Sequence, residues 1–173
     1  MPLPAIVLKS RIRNEFEMCQ RELKHHLSIS DPTLSAFPIL INVTLMRVPG
    51  PDWEDGKVVH RFVHRMAIIV GEEYPVEKPI VKWLTPIFHP NIMPPGDGGY
   101  VCTKLLENWD FGSNLVTFIK GIESLLENPN PRNPFGNDTC TRAAEYFNRN
   151  RYMPPTVMDQ SDRRIRIVGN LDG

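Results

Sequence analysis

The residues with the clearest chemical potential lie in one irregular stretch, IFHPNIMPPGDGGYVCTKLLENW, residues 87–109. This stretch brings His89, Asn91 and Cys102 into a segment rich in proline and glycine, just ahead of Trp109. A cysteine in such a segment can serve as a nucleophile, as a metal ligand or as a packing residue. The rest of the chain has to distinguish these three roles.

A metal site is the least favoured of the three. The sequence has five histidines but no CxxC or HExxH motif. His60 and His64 are four residues apart, a spacing that aligns two ligands on a helix. They lie, however, in VVHRFVHRMAIIV, whose β-branched residues indicate a strand. We therefore expect no metal and no other cofactor.

The composition is that of a single soluble domain of 173 residues. Lys+Arg and Asp+Glu are both 20, which gives no support to nucleic acid or a membrane surface as the main partner. No apolar run approaches the roughly 18 residues of a membrane span, and the N-terminus lacks the features of a signal peptide. Three widely spaced cysteines do not form a disulfide framework, which favours a reducing, cytoplasmic setting.

The first element is an amphipathic helix over residues 7–27. Its apolar stripe is formed by Leu8, Ile12, Phe16, Cys19, Leu23 and Leu27. Cys19 lies on this stripe and is predicted to be a packing residue. Arg11 and Arg13 fall off it, so that they belong either to a solvated face or to a basic docking surface.

The middle of the chain is predicted to form an antiparallel meander of four strands. Strands are expected over 39–48, over 57–70 (one long or two short) and over 79–83. The segment PGPDWEDG, residues 49–56, is predicted to be a turn-rich connection between the first two.

Two further helices follow the irregular stretch, over 115–126 and 138–149. Cys140 starts the second of them and is predicted to be a packing residue. The chain from 153 onward is polar and is predicted to be a flexible tail. The order of elements predicts an α+β domain.

Five short motifs occur in a fixed order along this framework: YP at 74–75, HPN at 89–91, Cys102, Trp109 and PNP at 129–131. In order and spacing they resemble the catalytic domain of the ubiquitin-conjugating enzymes, over about residues 7–150. The resemblance implies the ubiquitin-conjugating fold: an N-terminal helix, a four-stranded antiparallel meander, an active-site loop and two further helices. It implies a catalytic domain over 1–152 and a C-terminal tail over 153–173.

The resemblance also implies an activity. Such an enzyme accepts ubiquitin or a ubiquitin-like protein from an activating enzyme as a thioester on its cysteine, here Cys102. It then transfers the modifier to a lysine amine of a protein substrate, directly or with a RING-type ligase. Sulfur suits this task because a thioester is activated toward amines and the thiolate is a good leaving group. The alternative is a non-catalytic domain of the same fold that binds or scaffolds the modifier.

The family's site residues carry over to this sequence position by position. Asn91 corresponds to an amide that stabilises the oxyanion of the transfer step or supports the neighbouring loop. His89 corresponds to a structural member of the HPN turn. Asn133 stands where the family often has an acidic residue that orients the attacking lysine.

Partner binding departs from the family pattern. Val76 replaces the phenylalanine that often follows YP, and WDFG (109–112) replaces a W-S-P-A run. The residues predicted to dock the activating enzyme or a ligase are Arg11, Arg13, Val76, Phe111 and Gly112.

The loop beside the cysteine also departs from the family. Asn91 and Cys102 are eleven residues apart, a few more than usual, and the extra length falls in MPPGDGG, residues 93–99. Prolines and glycines in this insert predict a shaped loop. Asp97 within it is predicted to be a solvated carboxylate rather than a substitute for the missing acid.

Overall fold

The structure, a computed structural model, describes residues 2–23, 27–29, 33–102 and 109–156. Its elements are helix α1 (Ala5–Glu22), strands β1 (Leu27–Ile29), β2 (Ile39–Glu54), β3 (Lys57–Val70) and β4 (Ile80–Trp83), and helices α2 (Leu115–Glu127) and α3 (Asp138–Arg149). The strands form one antiparallel sheet in the order β1-β2-β3-β4. The predicted α+β architecture is therefore confirmed. No helix in the described ranges is long and apolar enough to cross a membrane.

The hairpin of β2 and β3 is longer than the sequence predicts. The expected turn-rich connection over 49–56 is wrong, because β2 continues through it to Glu54. The register shifts between Met46 and Gly50, and this irregularity accommodates the prolines that argued against a strand. The reversal needs only Asp55 and Gly56, whose φ angles of 51° and 78° are those of a two-residue hairpin turn.

Helix α1 ends earlier than its apolar spacing predicts. The spacing predicts a helix over 7–27, whereas the helix spans Ala5–Glu22 and Leu23 is its C-cap. Leu27 belongs to strand β1, which the sequence does not reveal because this residue continues the helical spacing by coincidence. The rest of the predicted stripe is buried: Leu8, Ile12, Phe16, Cys19 and Leu23.

Side chains of α1, the sheet and α2 share one hydrophobic core. Helix α3 packs on a second, smaller cluster made of Phe88, Ala143, Phe147 and Tyr152. Full burial of a large apolar side chain contributes about 1.5–3 kcal/mol. Because Phe88 directly precedes the HPN turn, the second cluster fixes where the irregular stretch begins. Of the predicted tail, residues 153–156 have no regular secondary structure and 157–173 lie outside the described residues.

A buried carboxylate joins α1 to the loops that follow β3 and precede α2. Glu15 is 5% exposed and its Oε1 accepts from Arg11 Nε at 2.7 Å. Its Oε2 accepts from the Tyr74 hydroxyl and from Leu115 N, the latter at 3.0 Å. Burial, then the charge of Glu15, raises the pKa of Tyr74 well above its ordinary range. The hydroxyl therefore stays protonated and donates to Glu15.

We expect Glu15→Ala to lower the free energy of unfolding by about 3–5 kcal/mol, because it leaves the buried partners of a charged group without an acceptor. Glu15→Gln, which keeps one acceptor oxygen, should cost less. Glu17→Ala is the matched control, because Glu17 is exposed on the same helix; its effect should stay within about 0.5 kcal/mol. Urea unfolding measures all three, and equal values for Glu15→Ala and Glu17→Ala would contradict the prediction.

Candidate active site

The stretch 89–102 folds back on itself as an irregular hairpin beside the end of β4. Ile92 forms an isolated antiparallel bridge with Val101, and Gly99 O accepts from Trp83 N at 2.6 Å. Gly99 has a φ of +68°, and a Cβ there would lie 2.4 Å from Trp83 O. Only glycine allows this close approach, which holds the returning arm of the hairpin against the sheet.

Cys102 lies at the end of that returning arm. Its N–H donates to Asn91 O at 2.9 Å, so the backbone of the cysteine is attached directly to the HPN turn. The residue is partly exposed, whereas Cys19 and Cys140 are both 0% exposed. Burial raises the pKa of each of these two thiols to about 12. Cys102 is thus the one cysteine of the three that is both exposed to solvent and held in a loop.

His89 is completely buried and stabilises the turn through both ring nitrogens. Nε2 lies 2.8 Å from Leu125 O and therefore donates to it, while Nδ1 accepts from Asn91 N at 3.0 Å. Burial lowers the pKa of His89 to about 3. The neutral ring has no nitrogen left for a proton in transit, so the geometry gives His89 no part as a base.

The buried His89 should make the fold sensitive to acid. Its pKa is about 3 in the folded chain and near 6.5 when unfolded. Between these values the unfolded state binds a proton that the folded state does not. The free energy of unfolding should therefore fall as the pH drops from about 6.5 toward 3, by up to about 1.4 kcal/mol per pH unit.

The test is to measure the free energy of unfolding across that pH range for the wild type and for His89→Gln. The glutamine keeps a donor and an acceptor but does not titrate. The variant should show a shallower slope. Burial also lowers the pKa of His64, so a His64→Gln, His89→Gln double variant should be flatter still. An unchanged slope in His89→Gln would contradict the prediction.

Asn91 is 0% exposed, and the hydrogen bonds of its side-chain amide are all made to the loop between α2 and α3. Nδ2 donates to Asn130 O and to Asn133 O, both at 3.0 Å. Oδ1 accepts from Asn130 N at 2.8 Å. Both amide hydrogens are therefore occupied in this conformation, and of its two predicted roles the geometry favours loop support.

Asn133 is brought to the same loop, with its side chain exposed. Its carbonyl is held by Asn91, while its side-chain amide has no hydrogen-bond partner in the described part of the chain. An amide so placed is free to accept a hydrogen bond from an incoming group.

The insert 93–99 is a shaped loop and Asp97 at its tip is exposed, as the sequence predicts. Its tip is a short 3₁₀ turn, Pro95–Asp97. The Asp97 carboxylate, although exposed, accepts from Asn137 Nδ2 at 3.1 Å and from Thr139 Oγ1 at 2.6 Å. Both donors belong to the start of α3, so the insert spans from the sheet to that helix.

The residues predicted to dock partners divide into two groups. Val76 and Phe111 are each 57% exposed, and Arg13 and Gly112 are also exposed. Arg11 is largely occupied within the chain: besides Glu15, its Nη2 donates to the carbonyls of Phe111 and Ser113, both at 2.9 Å. Its guanidinium also lies 5.1 Å from the centre of the Phe111 ring. Arg11 therefore supports the surface that Phe111 presents.

Of the paired histidines of β3, His64 is buried and His60 is exposed. His64 is 0% exposed and its Nε2 lies 3.0 Å from both Val48 O and Arg61 O. His60 Nδ1 lies 3.1 Å from the Tyr152 hydroxyl. In the described ranges no group of three or more His, Cys, Asp or Glu side chains could hold a metal ion.

Sequence reasoning does not predict the contacts of three residues that are important to this geometry: Glu15, Asp97 and Asn130. Glu15 has a signal, because it lies on the apolar stripe of α1, three residues after Ile12 and four before Cys19. Asn130 is the centre of the PNP motif, but its backbone partners depend on the fold. Asp97 has no such signal, because its contacts arise from loop geometry alone.

Comparisons with known proteins point to one family. The family model described as "Ubiquitin-conjugating enzyme" matches residues 11–154. "Ubiquitin-conjugating enzyme E2 2" of Kluyveromyces lactis is 32% identical over 127 residues, covering 70% of this chain and 72% of that protein. "Ubiquitin-conjugating enzyme E2 13" of Saccharomyces cerevisiae is 33% identical over 120 residues, covering 65% and 72%. The solved structure of S. cerevisiae Ubc12 superposes with a TM-score of 0.57 at 23% identity, covering 80% of this chain and 73% of that one, which supports the fold.

Proposed function

The chain belongs to the ubiquitin-conjugating enzyme family, and we propose that it carries ubiquitin or a ubiquitin-like protein as a thioester on Cys102 and transfers it to a lysine amine. One observation carries the proposal: of the three cysteines, only Cys102 is partly exposed rather than buried, and its backbone is attached to the HPN turn. Both properties suit a thiol that must meet two large partners in turn.

The two chemical steps balance without a cofactor. In loading, the Cys102 thiolate attacks the thioester held by the activating enzyme. A new C–S bond forms, the old one breaks, and the partner's thiolate leaves. In discharge, a neutral lysine amine attacks the carbonyl carbon, a C–N bond forms, and Cys102 leaves as thiolate while the amine proton passes to solvent.

In this mechanism Asn91 acts on the loop between α2 and α3. Its two N–H groups hold the carbonyls of Asn130 and Asn133. Fixing this loop fixes one wall of the space that the lysine enters, and discharge requires that the amine and the thioester carbon meet at about 3–3.5 Å.

The exposed side-chain amide of Asn133 orients the incoming amine by accepting a hydrogen bond from it. Asn133 lacks the charge of a carboxylate, and this substitution favours acceptors whose amine is made neutral by their own surroundings or by a partner.

The exposed Val76, Phe111 and Gly112, with Arg13 on α1, form the docking surface for the activating enzyme and for a RING-type ligase. Apolar side chains this exposed are typical of binding sites when they lie together. Arg11 belongs to this surface by holding the carbonyls of Phe111 and Ser113. The three free cysteines suit a reducing, cytoplasmic setting.

The test is a loading assay. The purified chain is incubated with a panel of activating enzymes, each with its own modifier and ATP, and resolved by gel with and without thiol reductant. An adduct that reductant removes supports the enzyme. If no modifier gives an adduct while one binds the chain measurably, the domain is a non-catalytic binding or scaffold protein instead.

A further inference from the structure

The active-site hairpin 89–102 is tied to the segment between α2 and α3 at two separate places. The first tie is Asn91, with its bonds to Asn130 and Asn133. The second is made by the insert: Asp97 Oδ2 accepts from Asn137 Nδ2 and from Thr139 Oγ1. Between the partners of the two ties, Phe135 N donates to Pro90 O at 2.8 Å. The hairpin therefore contacts this segment at several points from Asn130 to Thr139.

The second tie acts on the residue that begins helix α3. Asn137 is the N-cap of this helix, and its Oδ1 accepts from Cys140 N at 2.9 Å. Because Asp97 accepts from the amide nitrogen of the same side chain, it fixes the orientation in which the cap works. A carboxylate at a helix N-terminus is itself favourable, because the unpaired N–H groups there carry partial positive charge.

The shape of the insert explains how Asp97 reaches α3. Asp97 N donates to Pro94 O at 3.0 Å and Gly98 N to Pro95 O at 3.1 Å, which closes the 3₁₀ turn. On the sheet side Lys82 Nζ donates to Gly98 O at 2.9 Å. The tip is therefore held at both ends, and a movement of α3 would be transmitted to the arm that carries Cys102.

We propose that Asp97 is a positioning residue for discharge, which rests on the function proposed above. It holds the first turn of α3 against the hairpin, so that the wall beside the Cys102 thioester stays in place while an amine attacks. Aminolysis forms the C–N bond and expels the Cys102 thiolate, and it depends on a narrow range of approach. Loading exchanges one thiolate for another with the activating enzyme bound, and is less sensitive to this wall.

The experiment uses single-turnover discharge of the purified thioester to free lysine, together with loading rates. Asp97→Ala should slow discharge about tenfold and change loading by less than about twofold. Asp97→Asn keeps an oxygen that accepts from both donors and should restore discharge to within about twofold of the wild type. Asp138→Ala is the matched control, because Asp138 is an exposed acidic residue in the same turn of α3, and it should behave as the wild type.

A double-mutant cycle tests the contact itself. Thr139→Val removes one donor and should slow discharge less than Asp97→Ala, while the double variant should be no slower than Asp97→Ala alone. Equal slowing of loading and discharge, no rescue by Asp97→Asn, or a discharge rate for Asp97→Ala equal to that of Asp138→Ala would overturn the proposal. If the wild type forms no thioester with any partner set, the proposed function fails, and the role of Asp97 fails with it. Normal discharge from Asp97→Ala would refute the role of Asp97 alone.

Discussion

Replacing Cys102 with alanine should abolish the reductant-sensitive adduct completely, which is the largest effect expected of any single substitution in this chain. No other thiol can take its place, because Cys19 and Cys140 are fully buried and burial raises the pKa of each to about 12. At neutral pH the thiolate fraction of such a group is on the order of 10⁻⁵, and the thiolate is the nucleophile. Cys102→Ser should form, more slowly, an oxyester that survives thiol reductant and is cleaved by mild base.

The matched controls are Cys19→Ala and Cys140→Ala, read by the same gel. Each removes a packed thiol, so it should lower the free energy of unfolding by about 1 kcal/mol or more but leave the adduct in place. An adduct that persists in Cys102→Ala and disappears in Cys140→Ala would show that the nucleophile is Cys140. Far-UV circular dichroism of each variant separates loss of chemistry from loss of fold.

The elements that position Cys102 could be predicted from the sequence because each has a strong local signal. Helices α2 and α3 begin and end within about one residue of the predicted bounds. Their apolar spacing is regular, and Asn114 and Asn137 cap them with side-chain hydrogen bonds to Thr117 N and Cys140 N. Such signals involve residues only a few positions apart, so they can be recognised without knowing the tertiary structure.

Two predicted element bounds, the end of β2 and the end of α1, are wrong because the tertiary structure overrides a local signal. Prolines at 49 and 51 argue for a connection, but pairing with β3 carries β2 through them to Glu54. Leu27 continues the helical spacing of α1 but pairs with Leu45 in the sheet instead. In both places the structure is determined by strand pairing between residues far apart in sequence, which local periodicity cannot predict.

The candidate active site likewise combines features that local motifs predict with features that depend on long-range contacts. The motif indicates that His89, Asn91 and Cys102 form a group, but it does not predict what the Asn91 amide contacts. Its partners, Asn130 and Asn133, are about forty residues away. Similarly, Asp97 is exposed, but the sequence could not predict its bonds to Asn137 and Thr139, which exist because α3 begins beside it. Short motifs predict which group reacts, whereas the contacts that hold its loop in place are long-range.

Asn91→Ala should slow discharge of the thioester by about 10²-fold while slowing loading by less than about threefold. It should also lower the free energy of unfolding by about 1–3 kcal/mol, because Asn130 N and the carbonyls of Asn130 and Asn133 lose a buried partner. Asn91→Asp keeps the acceptor for Asn130 N but sets a carboxylate against two carbonyls, so it should be at least as damaging. Single-turnover kinetics and urea unfolding measure the two effects.

The two roles of Asn91, loop support and oxyanion stabilisation, predict different effects on hydrogen exchange and on stability beside the slower discharge. If Asn91 supports the loop, the backbone N–H of Asn130, which donates to Asn91 Oδ1 at 2.8 Å, should exchange its hydrogen faster in Asn91→Ala. If Asn91 is instead an oxyanion donor, discharge falls by the ~10²–10³ typical of such a donor, while exchange at Asn130 and stability stay unchanged. Asn133→Ala serves as the control for stability, because it removes an exposed amide and leaves the carbonyl that Asn91 holds. Faster exchange at Asn130 and lower stability in Asn91→Ala, with both unchanged in Asn133→Ala, would assign the slow discharge of Asn91→Ala to the loop.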